Sequence, residues 1–271
     1  MVGGSWLCGH ISDCHIVDPG QNLADVIDTA AYLRDAVDTF NRLDPQPELV
    51  LASGDLVNDG RPAQYGRLAE LVAPLRAPLY LMPGNHDDRA ALRTAFPAHR
   101  YLGDGPTIDY VVDGPVRLIA LDSTIPGAPG GRLSRRQLQW LDAVLQQSPN
   151  VPAVIALHHP PFATGIEHMD RMALDAGPAD DLAVLVRRHP QVERVVAGHL
   201  HRSISRRWAG TVAATVPGVA HAVVLDVRPG GVAAWNLEPP ALALYLWRRE
   251  LGVVAHQLAI GEFRGGRVGD H

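Results

Sequence analysis

Three observations in the sequence predict an α/β fold. Short apolar, β-rich runs alternate with segments whose apolar residues step by three and four as far as residue 200. Several of those runs stop on a loop that holds His, Asp or Asn, and strand ends are where α/β proteins place reactive groups. Beyond residue 211 the runs shorten, alternate and are punctuated by Pro-Gly-Gly and Pro-Pro, which predicts a second, more antiparallel sheet packed against the first.

In chain order, Trp6 to Ser12 reads as a strand that stops at Asp13-Cys14-His15. From Asn22 the positions Leu23, Val26, Ile27, Ala30, Leu33, Val37 and Phe40 predict a long amphipathic helix, with Asn22 and Asp25 as its N-cap signal. Leu49 to Ser53 is a strand ending at Gly54-Asp55, and Pro62 opens a helix with Tyr65, Leu68, Leu71, Val72 and Leu75 on one face. Leu79 to Met82 leads into Pro83-Gly84-Asn85-His86-Asp87-Asp88. Val116 to Leu121 is a strand, and Ser134 with Gln137 has capping-box spacing. Val151 to Leu157 ends at His158-His159-Pro160-Pro161, where proline stops the strand. Asp180 to His189 reads as helix, and Val192 to Ala197 as a strand ending at Gly198-His199-Leu200-His201. Alternating runs follow near 211–216, 222–227, 231–235, 242–247 and 252–260, and 265–271 reads as a frayed tail.

A chain of 271 residues holds one large domain or two small ones and can bury its core without a metal or disulfide to hold it folded. The net charge of −5 gives no basic footprint, which argues against a nucleic-acid partner. All 24 basic residues are Arg, so Schiff-base and P-loop chemistry are excluded. Cys8 and Cys14 flank a single strand end and read as thiols of a reducing cytosol. Neither a basic-led apolar N-terminal segment nor an apolar run of about 18 residues is present, so neither secretion nor a membrane span is expected.

The strand ends together carry Asp13, His15, Asp55, Asn85, His86, His158, His199 and His201. Borderline divalent metals take imidazole nitrogen and carboxylate oxygen, and a carboxylate has two oxygens with which to bridge two ions. Asp-x-His and His-x-His put both side chains on one face of an extended segment. The inventory therefore points to two metals sharing a ligand, about 4 Å apart, the apparatus for in-line attack at phosphorus.

Asp13-x-His15, Gly54-Asp55, Gly84-Asn85-His86-Asp87, His158-x-Pro160 and Gly198-His199-x-His201 resemble, in order, the five blocks of the calcineurin-like metallophosphoesterase superfamily. Finer features are similar to its bacterial class III cyclic-nucleotide phosphodiesterases and their glycerophosphodiesterase relatives: His10-Ile-Ser-Asp13, Gly60-Arg-Pro-x-x-Tyr65, the doubled His158-His159-Pro-Pro and Pro217-Gly-x-x-His221. The resemblance implies a four-layer α/β/β/α sandwich, and because the late apolar strands extend past its motifs the chain reads as a catalytic domain over 1–236 followed by a C-terminal β extension over 237–271. It implies one metal held by Asp13, His15 and His201, a second held by Asn85, His158 and His199, and Asp55 bridging them. The ions would be Fe, Mn, Zn or Co. The implied substrates are 3',5'-cyclic nucleotides of the cAMP type or small glycerophosphodiesters, attacked at phosphorus by a metal-activated hydroxide.

His86, beside ligand Asn85, is the candidate acid for the leaving alkoxide, with Asp87 as its orienting partner. His159 should point away from His158, either behind a ligand or toward substrate. His221 matches a family position near the metals and reads equally as a strand-end histidine. His10, inside a strand, reads as a hydrogen-bonded core group. Arg61, Arg89 and Arg202 lie beside motifs, where they could meet phosphate, but in a chain whose only basic residue is Arg proximity carries little weight. The Gly- and Pro-rich segments 122–133 and 159–181 read as loops over the site. The strands from Leu242 to Ile260 are expected to cover a core edge or to build a homodimer or higher homo-oligomer. Two other readings stay open: a phosphomonoesterase or pyrophosphatase using the same metals, and a non-catalytic interaction protein on the same fold.

Overall fold

Burial along the strands sorts the molecule into layers. The computed structural model describes residues 5–265. Its strands are β1 (Ser5–Ile11), β2 (Leu49–Ser53), β3 (Leu79–Met82), β4 (Tyr110–Val112), β5 (Arg117–Leu121), β6 (Ala153–Leu157), β7 (Val192–Ala197), β8 (Ile204–Trp208), β9 (Thr211–Thr215), β10 (Ala222–Val223), β11 (Trp235–Asn236), β12 (Ala241–Arg248) and β13 (Gly252–Ala259). The helices are α1 (Thr29–Arg42), α2 (Pro62–Val72), α3 (Arg89–Ala95), α4 (Arg135–Gln147), α5 (Glu167–Asp170) and α6 (Ala176–Arg188). One sheet has the order β13-β12-β1-β2-β3 and the other β4-β5-β6-β7-β9-β8, with β10 and β11 forming a separate small ribbon.

The two large sheets pack face to face with helices outside. Leu118, Ala120, Val154, Ala156 and Val196 of the second sheet share one apolar cluster with Cys8, Leu51 and Leu81 of the first. Their neighbours Ile119, Leu121, Ile155, Leu157 and Val195 turn the other way, onto Leu141 and Leu145 of α4 and Leu182 and Val186 of α6. This is period-two alternation in strands buried on both faces, each fully buried Leu, Ile or Val contributing roughly 1.5–3 kcal/mol. On the first sheet, α1 packs Phe40 over Gly9 so closely that a Cβ at residue 9 would overlap its ring. The result is the expected α/β/β/α sandwich.

The structure changes three expectations. The second sheet is parallel through β5, β6, β7 and β9, with antiparallel strands only at its edges, β4 and β8. The late strands β12 and β13 join the first sheet instead, β12 lying antiparallel to β1 from Ser5↔Arg248 to His10↔Ala243. Alternation shows that a strand is half-buried but not which sheet buries it. Helix α1 begins at Thr29, capped by Asp28, whose side chain accepts from the Ala31 amide at 2.9 Å. Asn22 does not cap it, because Ala24 and Asp25 have left-handed backbones and Val26 is 63% exposed.

Proline at the start of α2 and the Ser134–Gln137 capping box fall where expected. The runs near 222–227 and 231–235 shrink to the two-residue β10 and β11, while α3, β4 and β8 were not anticipated. Apart from Gly265, the expected tail lies outside the described residues. Cys8 and Cys14 are both buried and unpaired. Among the described residues no helix is long and apolar enough to cross a membrane.

Candidate metal centre

The C-terminal ends of β1, β2 and β3 meet those of β6, β7 and β9, and the loops leaving them are tied by backbone bonds. The amides of Asp13 and His15 donate to the carbonyls of Gly54 and Asp55, at 3.0 and 2.9 Å. The Gly198 amide donates to the His158 carbonyl at 3.1 Å, and the His199 amide to both Asp13 carboxylate oxygens at 3.1 Å. Asp13, His15, Asp55, His199 and His201 all have positive φ without being glycine. Such backbones cost of order 1–3 kcal/mol each and persist where the surroundings over-determine them. Here they aim buried side chains at one point. Gly84 lets the loops close, since a Cβ there would overlap the Asp55 amide and come within 2.8 Å of the His158 ring.

Asp13, His15, Asp55 and His201 bring ligand atoms within 4.8 Å of one another. Oδ2 of Asp55 is 3.6 Å from His15 Nε2 on one side and 3.4 Å from His158 Nε2 on the other. His158 Nε2 is also 3.1 Å from Asn85 Oδ1. His201 Nε2 lies 3.2 Å from His15 Nε2 and 3.4 Å from Asp13 Oδ1. The His199 ring stands edge-on to that of His158, with centroids 5.2 Å apart. All seven expected ligand residues are thus gathered, and all but the half-buried Asn85 are buried.

The donor set fits metal ions. His158 Nδ1–H donates to the Ser53 carbonyl at 2.8 Å, and His201 Nδ1–H to the His221 carbonyl at 3.2 Å. In that tautomer neutral His201 turns its Nε2 lone pair onto His15 Nε2 and Asp13 Oδ1, and His158 Nε2 faces Asp55 Oδ2 and Asn85 Oδ1, where a proton or a metal cation meets the oxygens. His15 Nδ1, His199 Nε2 and His221 Nδ1 are buried with no hydrogen-bond partner. Burial pushes the pKa of His15 and His199 down to about 3 and that of His201 well below its ordinary value, so these imidazoles are neutral, as ligands must be. Burial opposes charge on both Asp55 and His158, but the attraction between them outweighs it, holding the Asp55 carboxyl low and raising His158 to about 9.

His86 is exposed at the rim. Its amide donates to Asp55 Oδ1 at 2.9 Å, its Nδ1–H to the Asn58 carbonyl at 2.7 Å, and its ring stands edge-on to His15, 4.7 Å away. Asp87 does not orient it. The Asp87 carboxylate accepts from the amides of Leu56, Val57 and Gly84 and from the Tyr65 hydroxyl, at 3.0, 3.3, 2.8 and 2.8 Å, stapling the loop after β2 to the loop after β3. His159 does not face substrate either: it is fully buried, with Nδ1 on Ser123 Oγ at 2.9 Å and Nε2 on the Pro129 carbonyl at 3.1 Å. It therefore stands behind His158 and His199, holding the 123–129 loop. His221 does join the cluster, its ring 4.4 Å from His201 and 5.4 Å from His15. Arg61, Arg89 and Arg202 are engaged by Asp18 and Asp59, by Asp122 and by Glu238.

A cavity of about 340 Å³ opens over the cluster. Besides the clustered residues, Asn58, His86, Pro129, Met169, Met172 and Trp235 help to line it. Asn58 sits in a turn-rich run, Asn58-Asp59-Gly60, that follows a strand end, and it could have been singled out on that signal. Met169, Met172 and Trp235 carried none.

The calcineurin-like phosphoesterase family profile matches residues 8–203. The chain is 34% identical over 256 residues to a probable glycerophosphodiester phosphodiesterase of Arcobacter nitrofigilis, covering 94% of this chain and 93% of that one. It is 35% identical over 237 residues to a probable cyclic nucleotide phosphodiesterase of Rhodopseudomonas palustris, covering 86% and 85%. A solved dimetal phosphatase from Danio rerio shares the fold, with a TM-score of 0.63 at 20% identity over 94% of this chain and 99% of that one.

Proposed function

Since the chain belongs to the calcineurin-like phosphoesterase family, we propose that it is a metal-dependent phosphodiesterase acting on 3',5'-cyclic nucleotides or small glycerophosphodiesters. The observation that carries this reading is Asp55, whose one carboxylate faces His15 from one sheet and His158 from the other. In this reading Asp13, His15 and His201 would hold one ion, Asn85, His158 and His199 the other, and Asp55 would contribute to both. Their nitrogen and oxygen donors suit Fe, Mn, Zn or Co. When bound, such ions supply an acidified water and neutralise charge on the phosphoryl oxygens.

The chain's own residues do the rest. Asn85, a neutral amide, leaves its ion with less compensating charge than a carboxylate would. The Asn58 carbonyl fixes Nδ1–H of His86, so it is the imidazolium form, protonated on both nitrogens, that hands its Nε2 proton to the departing alkoxide and is left as the neutral Nδ1–H tautomer. Asp55 holds the same residue by its backbone. Ser53 and the His221 carbonyl set the tautomers of His158 and His201.

A diester is favoured over a monoester because among the described residues no Arg lines the cavity, and the chain has no Lys. A dianionic monoester would present a second charge with only His86 among the lining side chains to meet it. The test is turnover of bis(4-nitrophenyl) phosphate against 4-nitrophenyl phosphate by the metal-loaded protein. A higher kcat/KM for the diester is expected; preference for the monoester would move the reading to a phosphatase, and turnover of neither to a non-catalytic role.

A further inference from the structure

We propose that Trp235 is the specificity-determining residue of this cavity, its indole forming the platform on which a planar aromatic ring carried by the diester stacks. The inference rests on the diesterase reading above. Val223 and Trp235 are direct cross-strand partners in the β10–β11 ribbon, which puts both side chains on one face, and both line the cavity. The indole is 45% exposed and stands edge-on to His221, their centroids 6.4 Å apart. Leu23, Ile27, Met169 and Met172 complete the wall away from the ligands. Methionine sulfur is soft and adapts to aromatic faces.

That wall has little to offer a polar substituent. Among the described residues no carboxylate but Asp55, inside the cluster, lines the cavity, so a cationic head group finds no ion partner there. The Asn58 side-chain amide already donates to Asp59 Oδ1 at 3.0 Å, and the Asn58 carbonyl already accepts from His86. A glycerol arm would surrender its hydration with few groups to replace it, a loss that discriminates strongly between substrates. A flat ring loses little hydration and gains the indole face.

The experiment compares wild type, Trp235→Ala and Trp235→Phe, each as metal-loaded full chain. KM and kcat are measured on 3',5'-cyclic AMP, bis(4-nitrophenyl) phosphate and glycerophosphoethanolamine, and calorimetry follows binding of AMP and glycerol 3-phosphate. Stacking on an aromatic side chain predicts that Trp235→Ala raises KM for both ring-bearing diesters about tenfold to a hundredfold relative to its effect on glycerophosphoethanolamine. AMP binding should weaken relative to glycerol 3-phosphate by a like factor, and Trp235→Phe should restore most of both. A rise confined to bis(4-nitrophenyl) phosphate would assign the platform to aryl rings, and one confined to cyclic AMP to nucleobases; either supports stacking. Equal effects on all three diesters, or loss of metal in Trp235→Ala, would overturn it. If wild type cleaves no diester, the functional reading falls, and the AMP comparison still decides whether Trp235 stacks a ring.

Discussion

His86 and Asp87 are adjacent in sequence and separate in task. His86 sits exposed at the rim with one nitrogen fixed by Asn58, while Asp87 collects three amides and a hydroxyl below it. His86→Ala should therefore lower kcat by about 10²–10⁴, the usual worth of a positioned proton donor. Metal content by mass spectrometry should stay at the wild-type level; loss of metal would make His86 a ligand instead. Asp87→Ala should act on stability first, because it strands buried donors, at about 3 kcal/mol in total. Thermal unfolding should show the drop, with Tyr65→Phe costing about 1 kcal/mol. An Asp87→Ala variant with unchanged Tm and reduced kcat would return Asp87 to a direct role in proton transfer.

His10 shows how strands are joined through a buried polar group. On β1, it places Nδ1 2.9 Å from the Tyr245 hydroxyl of β12 and Nε2 2.7 Å from Ser53 Oγ of β2. Burial lowers its pKa to about 3. Its folded form stays neutral while the unfolded chain takes up a proton below about pH 6.5, so its effect on stability is nil above that pH and destabilising below it. Between pH 7.5 and 5.5 wild type should lose about 1.4 kcal/mol more than His10→Gln in urea unfolding. Equal losses would mean that His10 titrates normally in the folded protein. The same three strands show what local pattern leaves out: alternation marks β12 as a strand, yet its place beside β1 depends on a side chain 235 residues away.

The seven clustered residues proposed as ligands come from both sheets, Asp13, His15, Asp55 and Asn85 from the first and His158, His199 and His201 from the second. Metal ions bound there would cross-link the layers, and a ligand that binds only the folded state stabilises by mass action. Chelation should lower Tm by several degrees, and re-addition of metal should restore it. Asp55→Asn should reduce the metal-dependent part of that shift more than Asp13→Asn, because Asp55 stands between both groups of ligands. A Tm indifferent to chelator would count against a metal cluster bridging the sheets.

Much of this molecule is local and therefore visible in the chain: strand runs stopped by Gly and Pro, the Ser134 capping box, and the His, Asp and Asn residues that close each strand. Those residues announce themselves because a strand end is a short-range event, fixed by the few residues around it. Contacts across long separations decided the rest. Parallel pairing of the second sheet, the docking of β12 on β1, the start of α1 six residues beyond its first apolar position, the stapling by Asp87 and the burial of His159 each depend on a partner that no neighbouring residue specifies. Trp235 belongs with them, an ordinary aromatic in a Gly-rich stretch until the ribbon sets it on the cavity over the His and Asp cluster.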